Sequence, residues 1–184
     1  LARHDYHLVA APMLSLHAAA NVARAAGVTP LILGDAIAGE SREVARAFAG
    51  LAVSSRLHGL PVQPPCVLLS GGETTVTLKN PNGRGGRNTE FLLGLAIALQ
   101  GAEGIWALAG DTDGIDGSED NAGAIMTPDS YARAATLGLS ASDELDNNNG
   151  YGYFEALDAL IVTEPTRTNV NDFRAILILE TAQS

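Results

Sequence analysis

Residues 30–55 read PLILGDAIAGESREVARAFAGLAVSS, and the change of hydrophobic period inside that stretch decides the fold. "PLILG" is a short apolar run bounded by proline and glycine, the pattern of a buried strand. Asp35 to Glu40 read as an acidic turn, and Ser41 then opens a segment whose apolar residues recur at helical spacing. The same order stands upstream. "YHLVAA" at 6–11 reads as a strand, Ser15 as the N-cap of a helix through "LHAAANVARAA", and Gly27 as its stop. A β-α-β-α succession is the signature of layered α/β architecture with parallel pairing. The expected fold is therefore a layered α/β sheet with parallel β-α-β units, a C-terminal antiparallel element and helices on both faces.

Pro61, Pro64 and Pro65 interrupt this pattern and mark a connection between a lead-in, 1–60, and a core, 66–180. In the core, "CVLLS" and "TVTLK" read as two strands separated by Gly71-Gly72-Glu73. A helix from Asn88 to Leu99 follows, then the strand "IWALAG" at 105–110 and an acidic loop. Thr127-Pro128 introduce a helix that Gly138 ends, and an Asn-rich turn at 147–149 precedes the aromatic segment "YGYFEAL". Two last strands, "ALIVT" and "RAILILE", flank a polar loop.

The 184 residues suit one domain. The chain begins at Leu1 without an initiator methionine or a signal-peptide pattern and reads as a piece of something longer. A net charge of -10 argues against nucleic acid and anionic membrane as partners, since both call for a basic footprint. No apolar run has the length of a membrane span, so the chain reads as soluble. Cys66, the single cysteine, reads as a small core residue and fits a reducing, cytoplasmic setting.

Three segments carry the residue types of a reactive site. The first is "SGGETTVTLKNPNGRGGRNTEF", 70–91. Asn88 reads as the N-cap of an almost wholly apolar helix, with Glu90 in its first turn. Backbone N–H groups at that end, with Arg84, Arg87 and the close approach allowed by Gly83, Gly85 and Gly86, would suit a phosphate or carboxylate. The same residues read equally as a glycine-rich loop with solvated arginines. It is not a Walker A loop, because Arg87-Asn88 stand where Lys and Ser or Thr are required, and G-x-G-x-x-G is absent from the chain.

The second segment, "AGDTDGIDG" at 109–117, puts Asp111, Asp113 and Asp116 just past an apolar strand, where open α/β sheets place ligand groups. Carboxylates so close call for a cation or donors, which makes Mg²⁺ a candidate guest and one aspartate a candidate general base. Asp-Gly pairs also serve as plain turn formers. The third, "PTRTNVND" at 165–172, offers hydroxyls, amides, Arg167 and Asp172 to a hydroxy acid, or makes an ordinary Asx-rich turn. His4, His7, His17 and His58 show neither metal spacing nor nucleophile pairing, and G-x-S-x-G is missing.

In order, "SGGETTVT", "GRGGRNTEF", "DTDGIDG", "YGYFEALDALIVTEPT" and "TNVNDFRAIL" resemble the C-terminal MOFRL domain of class II glycerate 2-kinases, whose members are also labelled hydroxypyruvate reductases. The resemblance implies that 1–184 is a single C-terminal domain of a larger two-domain protein. It implies transfer of the γ-phosphoryl group of ATP to the 2-hydroxyl of D-glycerate, with Mg²⁺, in a cleft shared with an N-terminal Rossmann-like domain. A homodimer is compatible with it. Arg87, Asp111 and Asp113 then become the catalytic candidates, with Asp111 and Asp113 toward the metal. Gly71, Gly72, Glu73, Arg84, Gly85, Gly86, Asn88, Thr168, Asn169 and Asn171 become the substrate and nucleotide candidates. The alternatives are an NAD(P)H-dependent hydroxypyruvate reductase, or a binding or assembly fragment inactive alone.

Two departures stand out. The family's last loop usually carries glycine where this chain has Glu164 and Arg167. The N-terminal domain is not in this chain.

Overall fold

The computed structural model describes residues 11–180, so the strand expected at 6–11 lies outside the described residues except for Ala11. Helix α1 spans Pro12–Ala25 and begins three residues ahead of Ser15. Pro12 needs no amide partner at the first helical position, and the Ser15 hydroxyl donates back to its carbonyl at 2.8 Å instead of capping. Strand β1 (Thr29–Glu40) runs through the segment read as an acidic turn, straight into helix α2 (Ser41–His58), which Gly59 ends in the left-handed conformation.

Strand β2 (Cys66–Thr75) also corrects the sequence reading. Gly71 and Gly72 do not separate two strands; they lie inside one, paired in parallel with β1 and antiparallel to the last strand, β6. The glycine is required there. β1 and β2 shift register between Gly34 and Ile37, and a Cβ on Gly72 (φ +120°) would be driven into the Ile37 backbone. The alternating "TVTLK" segment leaves the sheet after Thr75.

Helix α3 is Arg87–Leu99, followed by β3 (Ile105–Asp111), β4 (Gly123–Met126), three short helices, α4 (Ser130–Thr136), α5 (Ala141–Asp146) and α6 (Gly150–Ala156), and finally β5 (Leu160–Ile161) and β6 (Asp172–Ile178). One six-stranded sheet of order β1-β2-β6-β3-β4-β5 runs through the molecule. β1 and β2 are parallel, and every other neighbouring pair is antiparallel.

Helices cover both faces. On one, α3 is buried on nearly all sides between the sheet, α2, α5 and α6, with Phe48 and Phe91 packed edge to face at 5.6 Å. On the other, Leu16 and Ala20 of α1 lie on Val67 and Leu69, and half-buried Phe173, Ala175 and Leu177 continue that apolar surface as an open groove beside the helix. Among the described residues, no helix is long and apolar enough to cross a membrane.

The topology sets up the site. β2 and β3 both run antiparallel to β6, so their C-terminal ends meet its start, with Asp111 and Gly72 each opposite Asp172. The N-terminus of α3 arrives at the same edge.

Candidate functional site

Period-two alternation puts Asp172, Arg174, Ile176 and Ile178 of β6 on the α3 side of the sheet, so the core face of this strand ends in two charges. Asp111 of β3 lies on the same side, cross-strand from Asp172. Two carboxylates so placed repel unless a cation joins them. Arg87 supplies it: Nε donates to Asp172 Oδ1 at 2.8 Å and Nη2 to Asp111 Oδ2 at 2.5 Å. Its third nitrogen, Nη1, stands 3.3 Å from Glu73 Oε1. Arg87 is 26% exposed, Asp111 4% and Asp172 0%, so the guanidinium, together with the 61% exposed Glu73, is the face that this cluster turns toward solvent.

Behind Asp172 lies Arg174, whose Nη2 donates to Asp172 Oδ2 at 2.6 Å and to Thr74 Oγ1 at 3.1 Å. The layer thus alternates in sign: Arg174, Asp172, Arg87, Asp111. Burial pushes the Asp111 carboxyl up to about 6, against the pull of the Asp113 amide and the Arg87 charge. Burial likewise lowers the Arg174 pKa, with Asp172 acting in the opposite direction.

The α3 N-terminus answers the question of its glycines in an unexpected way. Its N-cap is Gly86, and Asn88 lies inside the first turn. The amides of Asn88 and Thr89 donate to the Asp116 carboxylate at 2.9 Å each, and the Thr89 hydroxyl adds a bond at 3.0 Å. A carboxylate of the chain itself occupies the position expected for an external anion. The glycines make room for it. A Cβ on Gly86 would enter the Asp116 side chain, and one on Gly85 (φ +132°) would come within 2.8 Å of Thr89 Oγ1 and 2.9 Å of the Tyr151 amide.

The remaining candidates separate cleanly. Gly71, Gly72 and Asn88 are buried, and Asn88 Nδ2 points inward to Asp116 and Asp172. Arg84 turns away from Arg87 to pair with Glu119 and Glu155 at 3.2 Å each, over the ring of Tyr151. Asp113 Oδ1 accepts the Ile115 amide. The last loop folds over Thr112: the Thr112 amide and hydroxyl donate to Asn171 O, and the Asn169 side chain accepts the Asn171 amide. Thr168 and Asn169 are exposed there, and Glu164, Arg167 and Asn171 hold φ values of +61°, +61° and +64°. The first two are the positions where the resemblance leads one to expect glycine.

A cleft of about 370 Å³ opens beside Arg87, lined also by Thr74, Val76, Gly85, Gly86 and Gly117 among others. Both oxygens of Asp111 accept N–H donors, from Arg87 and Asp113, and the described residues hold no cluster of three candidate metal ligands. Sequence reasoning gave no role to Arg174; it set Asp116 among the metal or base candidates and Asp172 among the groups facing a hydroxy acid, whereas the structure puts Asp116 at the α3 N-terminus and Asp172 under Arg87. The readable signal was Asp172-x-Arg174 in phase with Ile176 and Ile178, which puts two charges on a core-facing row.

Residues 66–172 match the model of the MOFRL family. A putative hydroxypyruvate reductase from Agrobacterium vitis is 58% identical over 175 residues, 95% of this chain and 46% of the relative. A D-glycerate 2-kinase from Thermotoga maritima is 35% identical over 97% of this chain and 43% of its own length. The crystal structure of a glycerate kinase from Thermotoga maritima superposes with a TM-score of 0.91 at 35% identity, covering 95% of this chain and 42% of that one. The chain therefore spans less than half the length of these relatives. On this match of family model and fold, the chain belongs to the MOFRL family.

Proposed function

We propose that this chain is the C-terminal lobe of an ATP-dependent glycerate 2-kinase, phosphorylating D-glycerate to 2-phosphoglycerate. The observation that carries the reading is Arg87, a guanidinium fixed by Asp111 and Asp172 and turned toward an open cleft. Its likeness to glycerate kinases of known structure supports the choice of reaction.

Phosphoryl transfer asks mainly for positioning and charge neutralisation. Arg87 takes the substrate carboxylate or the oxygens of the transferred group, with no reorganisation at the moment of reaction because two carboxylates already hold its plane. Asp113, half-buried beside Asp111, is the accessible carboxylate that takes the proton of the 2-hydroxyl. The hydroxyl oxygen bonds to the γ-phosphorus as the bond to the ADP oxygen breaks. Magnesium that accompanies the nucleotide is not assigned to residues of this lobe. The other wall of the cleft is the N-terminal Rossmann-like domain of the same protein.

A second reading, hydroxypyruvate reduction, is favoured by the name of the 58% identical relative. One assay separates the two. The full-length protein is given D-glycerate with ATP and Mg²⁺, and in parallel hydroxypyruvate with NADH or NADPH. Glycerate-dependent ADP formation is expected; oxidation of NAD(P)H without ADP formation would overturn the kinase reading.

A further inference from the structure

Arg174 is among the largest fully buried side chains described, 1% exposed, with its guanidinium carbon 5.3 Å from the centroid of the Phe91 ring. Its Nε and Nη1 have no hydrogen-bond partner, so much of the cost of burying the guanidinium goes uncompensated by local hydrogen bonds. What the charge does reach is Asp172. Arg174 occupies Asp172 Oδ2, leaving Oδ1 to accept Arg87 Nε at 2.8 Å and Asn88 Nδ2 at 2.9 Å. Both ends of the carboxylate are thereby held, and so is the plane of the Arg87 fork.

Charge makes the same case. Glu73, Asp111 and Asp172 all contact Arg87, so the guanidinium alone would leave two carboxylates in excess. Arg174 reduces the excess to one. An incoming anion therefore meets less repulsion than it would without Arg174.

We infer that Arg174 is a positioning residue for the reaction: through Asp172 it sets the orientation of Arg87, and its buried charge keeps the cluster able to accept an anionic group. This rests on the reading that Arg87 acts on substrate.

The test uses the full-length protein with Arg174→Met and Arg174→Lys, comparing kcat, KM for D-glycerate and melting temperature with those of the parent. Arg174→Met is expected to raise KM at least tenfold and to lower kcat at least tenfold, on the order of the loss when a fixed group is misplaced by about 1 Å. Arg174→Lys keeps the charge but not the fork, so KM should return to within about threefold of the parent while kcat stays low. A purely structural role would move melting temperature and active fraction and leave KM alone. Arg174→Met with both constants within about threefold of the parent overturns the inference. If that variant does not accumulate folded, Arg174→Lys decides: parental kcat overturns it, and low kcat with near-parental KM supports it. Arg87→Ala, run in parallel, tests the underlying reading. Normal turnover there removes the reading itself, whereas Arg87-dependent turnover with indifferent Arg174 variants removes only the positioning role.

Discussion

Asp111 Oδ2 lies 2.5 Å from Arg87 Nη2, yet burial still carries the aspartate up to about 6. A carboxyl titrating higher in the folded chain than in the unfolded one binds its proton more tightly when folded. Its contribution to stability is complete below the ordinary value of 3.8 and is lost as pH rises through about 6. Asp111→Asn, a neutral isostere, should therefore be more stable than the parent at pH 8 by about 1–3 kcal/mol, with the gain vanishing near pH 4. Urea titrations at several pH values measure it. Parallel stability curves for the two proteins would show that Asp111 does not titrate in this window.

Asp116 is expected to act on the fold rather than on a ligand. It is 1% exposed and satisfies two amides and two side chains of α3. Asp116→Ala strands those donors in the interior and should cost about 2–4 kcal/mol, an N-cap loss compounded by buried unsatisfied groups. Thermal denaturation of the chain checks this. A change below about 0.5 kcal/mol would mean that the helix end is served by something else.

Gly86→Ala should be as damaging as Asp116→Ala, because the added methyl enters the Asp116 carboxylate. Asp116→Gly removes the carboxylate but not the Asp116 carbonyl carbon, which the methyl would also meet at 2.5 Å, so combined with it the alanine should cost less than it does alone yet remain destabilising. Additive losses in this double-mutant cycle would place the clash elsewhere.

The two arginines of the glycine-rich loop should part company in kinetics. Arg87→Ala in the full-length protein removes a charge-assisted contact worth about 1.5–3 kcal/mol, a fall of roughly 10- to 150-fold in kcat/KM. Arg84, 46% exposed and paired at the surface, should change kcat/KM and stability little when replaced by alanine. Equal effects from both would argue that the loop acts as one unit.

How much of this was readable beforehand depends on range. Helix α3 was legible because Phe91, Leu92, Leu93 and Leu95 leave it no polar face, a purely local property. β2 was not, because two adjacent glycines weaken a strand locally while pairing on both sides restores it. β4 is four residues long and follows an acidic loop, too little pattern to register. Within the site, Arg87 and Asp111 were legible as residue types in a suggestive place. That the helix end was already filled was not, since Asp116 reaches it from 28 residues away.

The alternating charges under α3 also bear on how such a sequence can drift. Arg174 and Asp172 are fully buried against each other, so a lineage that loses either is left with an uncompensated ion in a dry interior. Viable change must come in pairs of opposite sign, or by replacing the whole row at once. These two positions should covary, whatever happens to the exposed loop around Glu164 and Arg167.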